Sequence, residues 1–228
     1  MLFETLRKHE VSHLPMPSDR LKYADTIAGC FLHCAKRVLA GYFKVQSRKI
    51  YPTAIELYYH EEGTGRFKDP IMYHTNDRKL AEHVDYFVKR GITELPYFPL
   101  GSLNAHTSGI DVTFENSQEQ YRASFLIREY EVDYGDGIKH LVRNSTDIYD
   151  DMLIAGIPMQ DIDWIEWCDG EILKEEDIVR RWRRNVPDYR MVEGVTNRWI
   201  KNTEDEPSFV SSGVHYAKCP FNWQFARK

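Results

Sequence analysis

One acidic residue interrupts an apolar and aromatic run, Ala54-Ile55-Glu56-Leu57-Tyr58-Tyr59. If that run is a strand, alternation puts Glu56 and Tyr58 on one face and Ile55, Leu57 and Tyr59 on the other. With the Ile/Leu face turned to the core, Glu56 points into solvent or into a cleft. The plain reading is a solvent-facing carboxylate; the chemical reading is a general base for water. Downstream come His74, then His106 and Asp111 around Thr107-Ser108-Gly109, then Arg128 between Ile127 and Glu129. Asp111 also fits as an anchor for the turn before it, through hydrogen bonds to backbone near Ser108 and Gly109. Arg128 fits equally as the partner of a carboxylate, in a buried pair with Glu56 or Asp111 that would be structural.

A second constellation uses overlapping residues. Glu56, His60, His74, His106 and Asp111 offer nitrogen and oxygen ligands for a divalent metal, which would make a metal-assisted hydrolase. No HExxH spacing supports it, and His106 and Asp111 are too far apart in sequence to be a local ligand pair on one strand turn. There is no GxSxG, no P-loop and no GxGxxG. Cys30 and Cys34, one helical turn apart around His33, suit small fillers of a buried helix face better than a metal site. Nothing calls for a cofactor.

Taken in order, Ala54-Ile55-Glu56-Leu57-Tyr58, Asp69-Pro70-Ile71-Met72-Tyr73-His74, Gly101 to Phe114 and Phe125-Leu126-Ile127-Arg128 resemble the methylpurine (alkyladenine) DNA glycosylase superfamily. They also resemble a set of bacterial proteins of that superfamily without established activity. The resemblance runs from Ile50 to Glu131. It implies a hydrolase that cleaves the N-glycosidic bond of a modified purine such as 3-methyladenine, in base-excision repair. In that reading Glu56 is the catalytic carboxylate that activates water, and Arg128 helps to hold the water. Tyr58, His74, His106 and Asp111 make the substrate-binding set, with Tyr58 and His74 flanking a flipped purine and His106 near a second stacking position. The chain departs from the family where a wedge tyrosine belongs, near Ser108, because neither Ser108 nor Thr107 can fill a base stack. The alternative within the same resemblance is a nucleotide- or base-binding module without catalysis.

The elements that must position these residues read as α+β. Ser18 caps a helix from about Asp19 to Ala40, stopped by Gly41, with Leu21, Ala24, Ile27, Ala28, Phe31, Leu32, Val38 and Leu39 on its buried stripe. Tyr42 to Val45 and Ile50 to Tyr59 read as strands. Asp77 to Arg90 reads as a helix burying Leu80, Val84, Phe87 and Val88. Phe98 to His106, Ile110 to Phe114 and Ser124 to Val132 are strands, with turns at 115–120 and 134–137. A short helix runs from Ser145 or Thr146 to about Ala155, Asp163 to Cys168 is a strand or buried loop, and Lys174 to Asn185 is a charged helix. The aromatic tail closes the fold with short strands. The expected architecture is one domain over 1–228, with a helical part (1–45) and a sheet-containing part (46–228). Its core is a curved, mostly antiparallel sheet with helices packed outside.

The net charge of −5 over 228 residues counts against a large phosphate-gripping surface. That leaves Arg180-Arg181-Trp182-Arg183-Arg184 as the basic cluster able to grip phosphate, although acidic neighbours suggest an ion-paired face. The expected partner is nucleic acid or a purine nucleotide. No run approaches a membrane span, and the N-terminal residues lack a signal-peptide pattern, so a cytoplasmic protein is expected.

Overall fold

A computed structural model describes residues 20–62, 69, 72, 75–76, 88–98, 100–152, 165–181, 189–191, 197–201, 207–211, 214–216 and 223–228; for 20–28 and for 189–216 only the backbone is described. The first element is helix α1 (Arg20–Val38). Phe31, Cys34, Ala35, Val38 and Leu39 fall at i, i+3, i+4, i+7 and i+8, and all are buried. Phe31 meets Trp223 edge to face at 4.8 Å between ring centroids, which ties the helix to the sheet beneath it. Cys34 lies in this apolar cluster. Gly41 follows where a side chain cannot fit, since a Cβ there would lie 2.2 Å from the Trp167 ring.

The main sheet contains β1 (Tyr42–Val45), β2 (Arg48–Glu61), β3 (Leu103–His106), β4 (Gly109–Thr113), β5 (Tyr121–Asp133), β6 (Lys139–Val142), β7 (Ile165–Cys168), β8 (Ile178–Arg181) and β13 (Gln224–Arg227). Its order is β3-β4-β5-β2-β1-β7, with β13 and β8 continuing beside β2 and β6 beside β5. Every pairing given is antiparallel, and the sheet curls into a half-barrel. A second sheet holds β9 (Tyr189–Met191), β10 (Asn197–Lys201), β11 (Pro207–Ser211) and β12 (Val214–Tyr216). β1 falls on the Tyr42 to Val45 strand read from the sequence.

The central pair, β2 and β5, carries two irregularities. Ile55 pairs with Ile127 and Ala54 with Glu129, so Arg128 is an extra residue on β5; Pro52 pairs with Tyr130, so Thr53 is extra on β2. Pro52 has no N–H to give to a ladder, which suits this break. On the Lys49 side of the bulges, burial alternates along both strands, and Ile50 and Val132 face the core. On the Glu56 side, β2 from Ala54 to Glu61 and β5 from Tyr121 to Arg128 are buried throughout. Beyond the bulges both faces of the sheet are therefore covered. One face is the apolar core of Ile55, Leu57, Tyr59, Phe125 and Ile127 under α1.

Two expected helices are corrected. Of the charged helix expected from Lys174 to Asn185, the part up to Arg181 is not helical: a 3-10 turn at Glu175–Asp177 leads into β8. Ile178 and Val179 favour a strand, and β13 supplies the ladder. Arg180 and Arg181 consequently point to opposite faces, while residues 182–184 lie outside the described residues. Val88, placed on a buried stripe, is 68% exposed; it is helical, as is Asn76, but 77–87 lie outside the described residues. The strand expected from Phe98 starts only at Leu103. Before it, the Phe98 N–H is taken by the Glu115 carboxylate at 2.8 Å. The helix at 145–155 is described as α2 (Ile148–Met152).

Candidate functional site

The second face of the covered sheet holds the site. Residues paired across an antiparallel ladder share a face, so one row runs Arg181–Gln224–Glu56–Leu126–Asp111–Asn104. The next row toward the end of β2 runs Tyr58–Ser124–Thr113. Both rows are polar except for Leu126, and Leu126 packs with Tyr58 and Met72 in a small apolar cluster of its own.

Glu56 is fully enclosed, so it does not face solvent. Arg128 grips it with two bonds: Nε donates to Oε2 at 2.8 Å and an Nη to Oε1 at 2.9 Å. The Tyr58 hydroxyl donates to Glu56 Oε1 at 2.6 Å and accepts from Arg128 at 3.1 Å. The bulge makes this geometry available, because an extra residue on a strand re-aims its side chain. Burial works against the charge on Arg128, but the hydrogen bonds and charge of Glu56 and Tyr58 outweigh it and raise its pKa. Burial, followed by the neighbouring Glu56, raises the pKa of Tyr58 well above the usual phenol value. The triad is thus a neutral phenol with a guanidinium locked in its charged form. Alternation along β2 predicted that Glu56 and Tyr58 share a face. The pairing partner of Arg128 was one of two options, and it is Glu56.

His106 and Asp111 meet across the β3–β4 hairpin, with Nε2 3.2 Å from the Asp111 carboxylate. Their separation in sequence argues against a local pair on one strand turn, but the β3–β4 hairpin brings them together. His106 Nδ1 accepts the Ser108 N–H at 3.3 Å, which leaves Nε2 as the ring nitrogen that carries the proton. The turn itself is held by Ser145 Oγ on the Ser108 carbonyl at 2.6 Å and by the Tyr149 hydroxyl on the Gly109 carbonyl at 2.8 Å. Gly109 is required there: its φ is +135°, and a Cβ would lie 2.9 Å from the Ser145 carbonyl oxygen. Asp111 shares the row of Glu56, two strands away, about 10 Å at the backbone. His74 lies outside the described residues.

Three residues on this part of the sheet carry no sequence signal. Gln224 is opposite Glu56 and Ser124 is opposite Tyr58; both are buried, and neither Gln224 Nε2 nor Ser124 Oγ has a hydrogen-bond partner. The third, Arg122, is fully enclosed and works as a clasp. It pairs with Glu62, with Glu115 at 3.1 Å, and with the carbonyls of Leu95 and Pro96 at 2.9 and 3.0 Å, beneath the Tyr97 ring. Glu62 also accepts the Asn76 N–H at 2.8 Å, and Asn76 accepts that of Leu95 at 2.6 Å. At the same end, Asp69 accepts the Tyr59 N–H at 3.3 Å and donates its own to His60 Nδ1 at 3.1 Å. The sequence after β2 is thus tied back to the strand that carries Glu56.

Among the described residues, no three or more His, Cys, Asp or Glu side chains converge as metal ligands do. No helix described is long and apolar enough to cross a membrane. Comparison of the chain with protein-family models, curated proteins and solved structures returned no match.

Proposed function

We propose that the covered polar face around Glu56 is the site of an N-glycoside hydrolase acting on a modified purine in nucleic acid or a nucleotide. The observation that carries this reading is the Glu56–Arg128–Tyr58 triad, a carboxylate buried in mid-strand and gripped at both oxygens by a bulged arginine. Burying a charge pair is unfavourable unless it is well hydrogen-bonded, and apolar packing would stabilise the fold as well or better. A function accounts for its presence. Cleavage of a glycosidic bond develops positive charge on the sugar, so an ionised carboxylate serves twice, orienting water and opposing that charge. Arg128 sets a fixed positive charge against Glu56, and Tyr58, Leu126 and Met72 form a buried aromatic and apolar cluster beside it, the chemistry that suits a base taken out of its stack.

One observation favours a second reading. Arg128 and Tyr58 occupy both oxygens of Glu56, so a water would have to compete with them for the carboxylate. A base-binding module that does not turn its ligand over would keep the same triad. The test is excision of 3-methyladenine and hypoxanthine from DNA oligonucleotides by the wild type and Glu56→Gln. The hydrolase reading expects release by the wild type and a loss of about 10²–10⁴-fold in the variant. Absence of release by the wild type would overturn it, and binding of the base without release would establish the second reading.

A further inference from the structure

Buried polar groups in native proteins nearly always have a hydrogen-bond partner, so each exception needs a reason. Two such exceptions flank the triad. Gln224 stands directly across the β13–β2 ladder from Glu56, and Ser124 stands directly across the β2–β5 ladder from Tyr58. Gln224 is 3% exposed and Ser124 is 0% exposed, yet Gln224 Nε2 and Ser124 Oγ are without partners. Both sit on the face that carries Glu56, Gln224 beside Glu56 and Ser124 beside Tyr58 and two residues from Leu126 on β5. In the unliganded protein each such group is destabilising, because it has given up water and received nothing in return.

We propose that Gln224 and Ser124 are the residues that read the ligand, and that the ligand is a purine base offering both a donor and an acceptor on its edge. This rests on the reading of the Glu56 face as a base site and names the residues that would give it selectivity. A carboxamide can donate and accept side by side, the arrangement that pairs a glutamine with the amino group and ring nitrogen of adenine. A hydroxyl rotates to supply whichever bond the ligand needs. Beside Glu56 on this face lie an aromatic ring and a leucine, packed with a methionine. They suit a flat heterocycle and give no counter-charge to an anion, since Glu56 already neutralises Arg128. Arg181, at the β8 end of the same row and exposed, meets Glu129 only at 3.9 Å. It marks the side on which a phosphate attached to the base would find a cation.

The test combines calorimetric titration with adenine and with hypoxanthine and thermal melting of the free protein, for the wild type, Gln224→Met and Ser124→Ala. The wild type is expected to bind at least one of these bases, Gln224→Met to bind it about tenfold more weakly, and Ser124→Ala several-fold more weakly. Because each variant removes an unpartnered buried group, the melting temperature is expected to stay level or rise by about 2–4 °C. Equal binding by wild type and variants would overturn the role of these two residues while leaving the base site standing. No binding of either base by the wild type would overturn the base site and this proposal with it. A melting temperature lowered in both variants would show that the two groups are structural, and would overturn the proposal whatever the binding.

Discussion

Replacing Arg128 with methionine tests whether the triad is a mutually dependent unit. The variant leaves the Glu56 carboxylate fully enclosed with the Tyr58 hydroxyl as its remaining partner in the triad. Removing one member of a buried ion pair destabilises by about 3–5 kcal/mol, since an uncompensated charge stays in a poorly solvated site. For a chain of 228 residues, each kcal/mol lowers the melting temperature by about 2–4 °C. The expected fall is therefore about 6–20 °C. The double variant Glu56→Gln/Arg128→Met removes both charges while keeping a carbonyl to accept from Tyr58, so it should recover much of the loss. Urea unfolding of the wild type, both single variants and the double variant gives the coupling directly, toward the upper end of the ~0.5–3 kcal/mol found for residues in contact. A loss below about 1 kcal/mol for Arg128→Met, the scale of an exposed ion pair, would refute the reasoning. So would a double variant whose loss is the sum of the single losses.

Other expectations follow from the same structure. Arg122→Met takes the counter-charge from the enclosed Glu62 and Glu115 carboxylates and releases the Leu95 and Pro96 carbonyls. It should cost about 3–5 kcal/mol, and hydrogen exchange should rise across 94–98 more than in α1; uniform exchange would count against a clasp. Burial pushes the Cys34 thiol up to about 12, so it should react with a disulfide reagent at neutral pH only as fast as the protein unfolds; rapid labelling of the native protein would contradict this. Burial, the Glu56 charge at Tyr58 and the Asp151 hydrogen bond at Tyr130 raise both phenols in the folded state. Stability is therefore fully present below the unfolded tyrosine value of about 10 and is lost as pH climbs above it. Tyrosinate absorbance should show Tyr58 and Tyr130 ionising together with alkaline unfolding, and Tyr58→Phe should remove one of the two late phenols.

The parts of this protein that follow a fixed period could be read from sequence. The α1 stripe from Phe31 to Leu39 repeats as a helix must, and Glu56 and Tyr58 share a face because strands alternate. The bulge at Arg128 leaves no compositional trace and the one at Thr53 only Pro52 beside it, yet they aim the arginine at Glu56 and mark where both faces of the sheet become covered. A solvent-facing Glu56 was a fair expectation from alternation alone, since alternation does not say what lies over the second face. The charged stretch after Lys174 looked helical because its charges are dense. Its outcome was decided by Ile178, Val179 and a partner strand more than forty residues later, which local propensity does not contain. Gln224 carries no local signal for the same reason: its place opposite Glu56 comes from register, a long-range property.

The central claim is tested most directly by incubating the protein with an oligonucleotide carrying one 3-methyladenine and assaying released base by chromatography, beside Glu56→Gln. The account predicts free 3-methyladenine and an abasic site with the wild type, and a loss of about 10²–10⁴-fold with the variant. Wild-type release no higher than that of protein-free DNA would contradict it, as would full activity in Glu56→Gln.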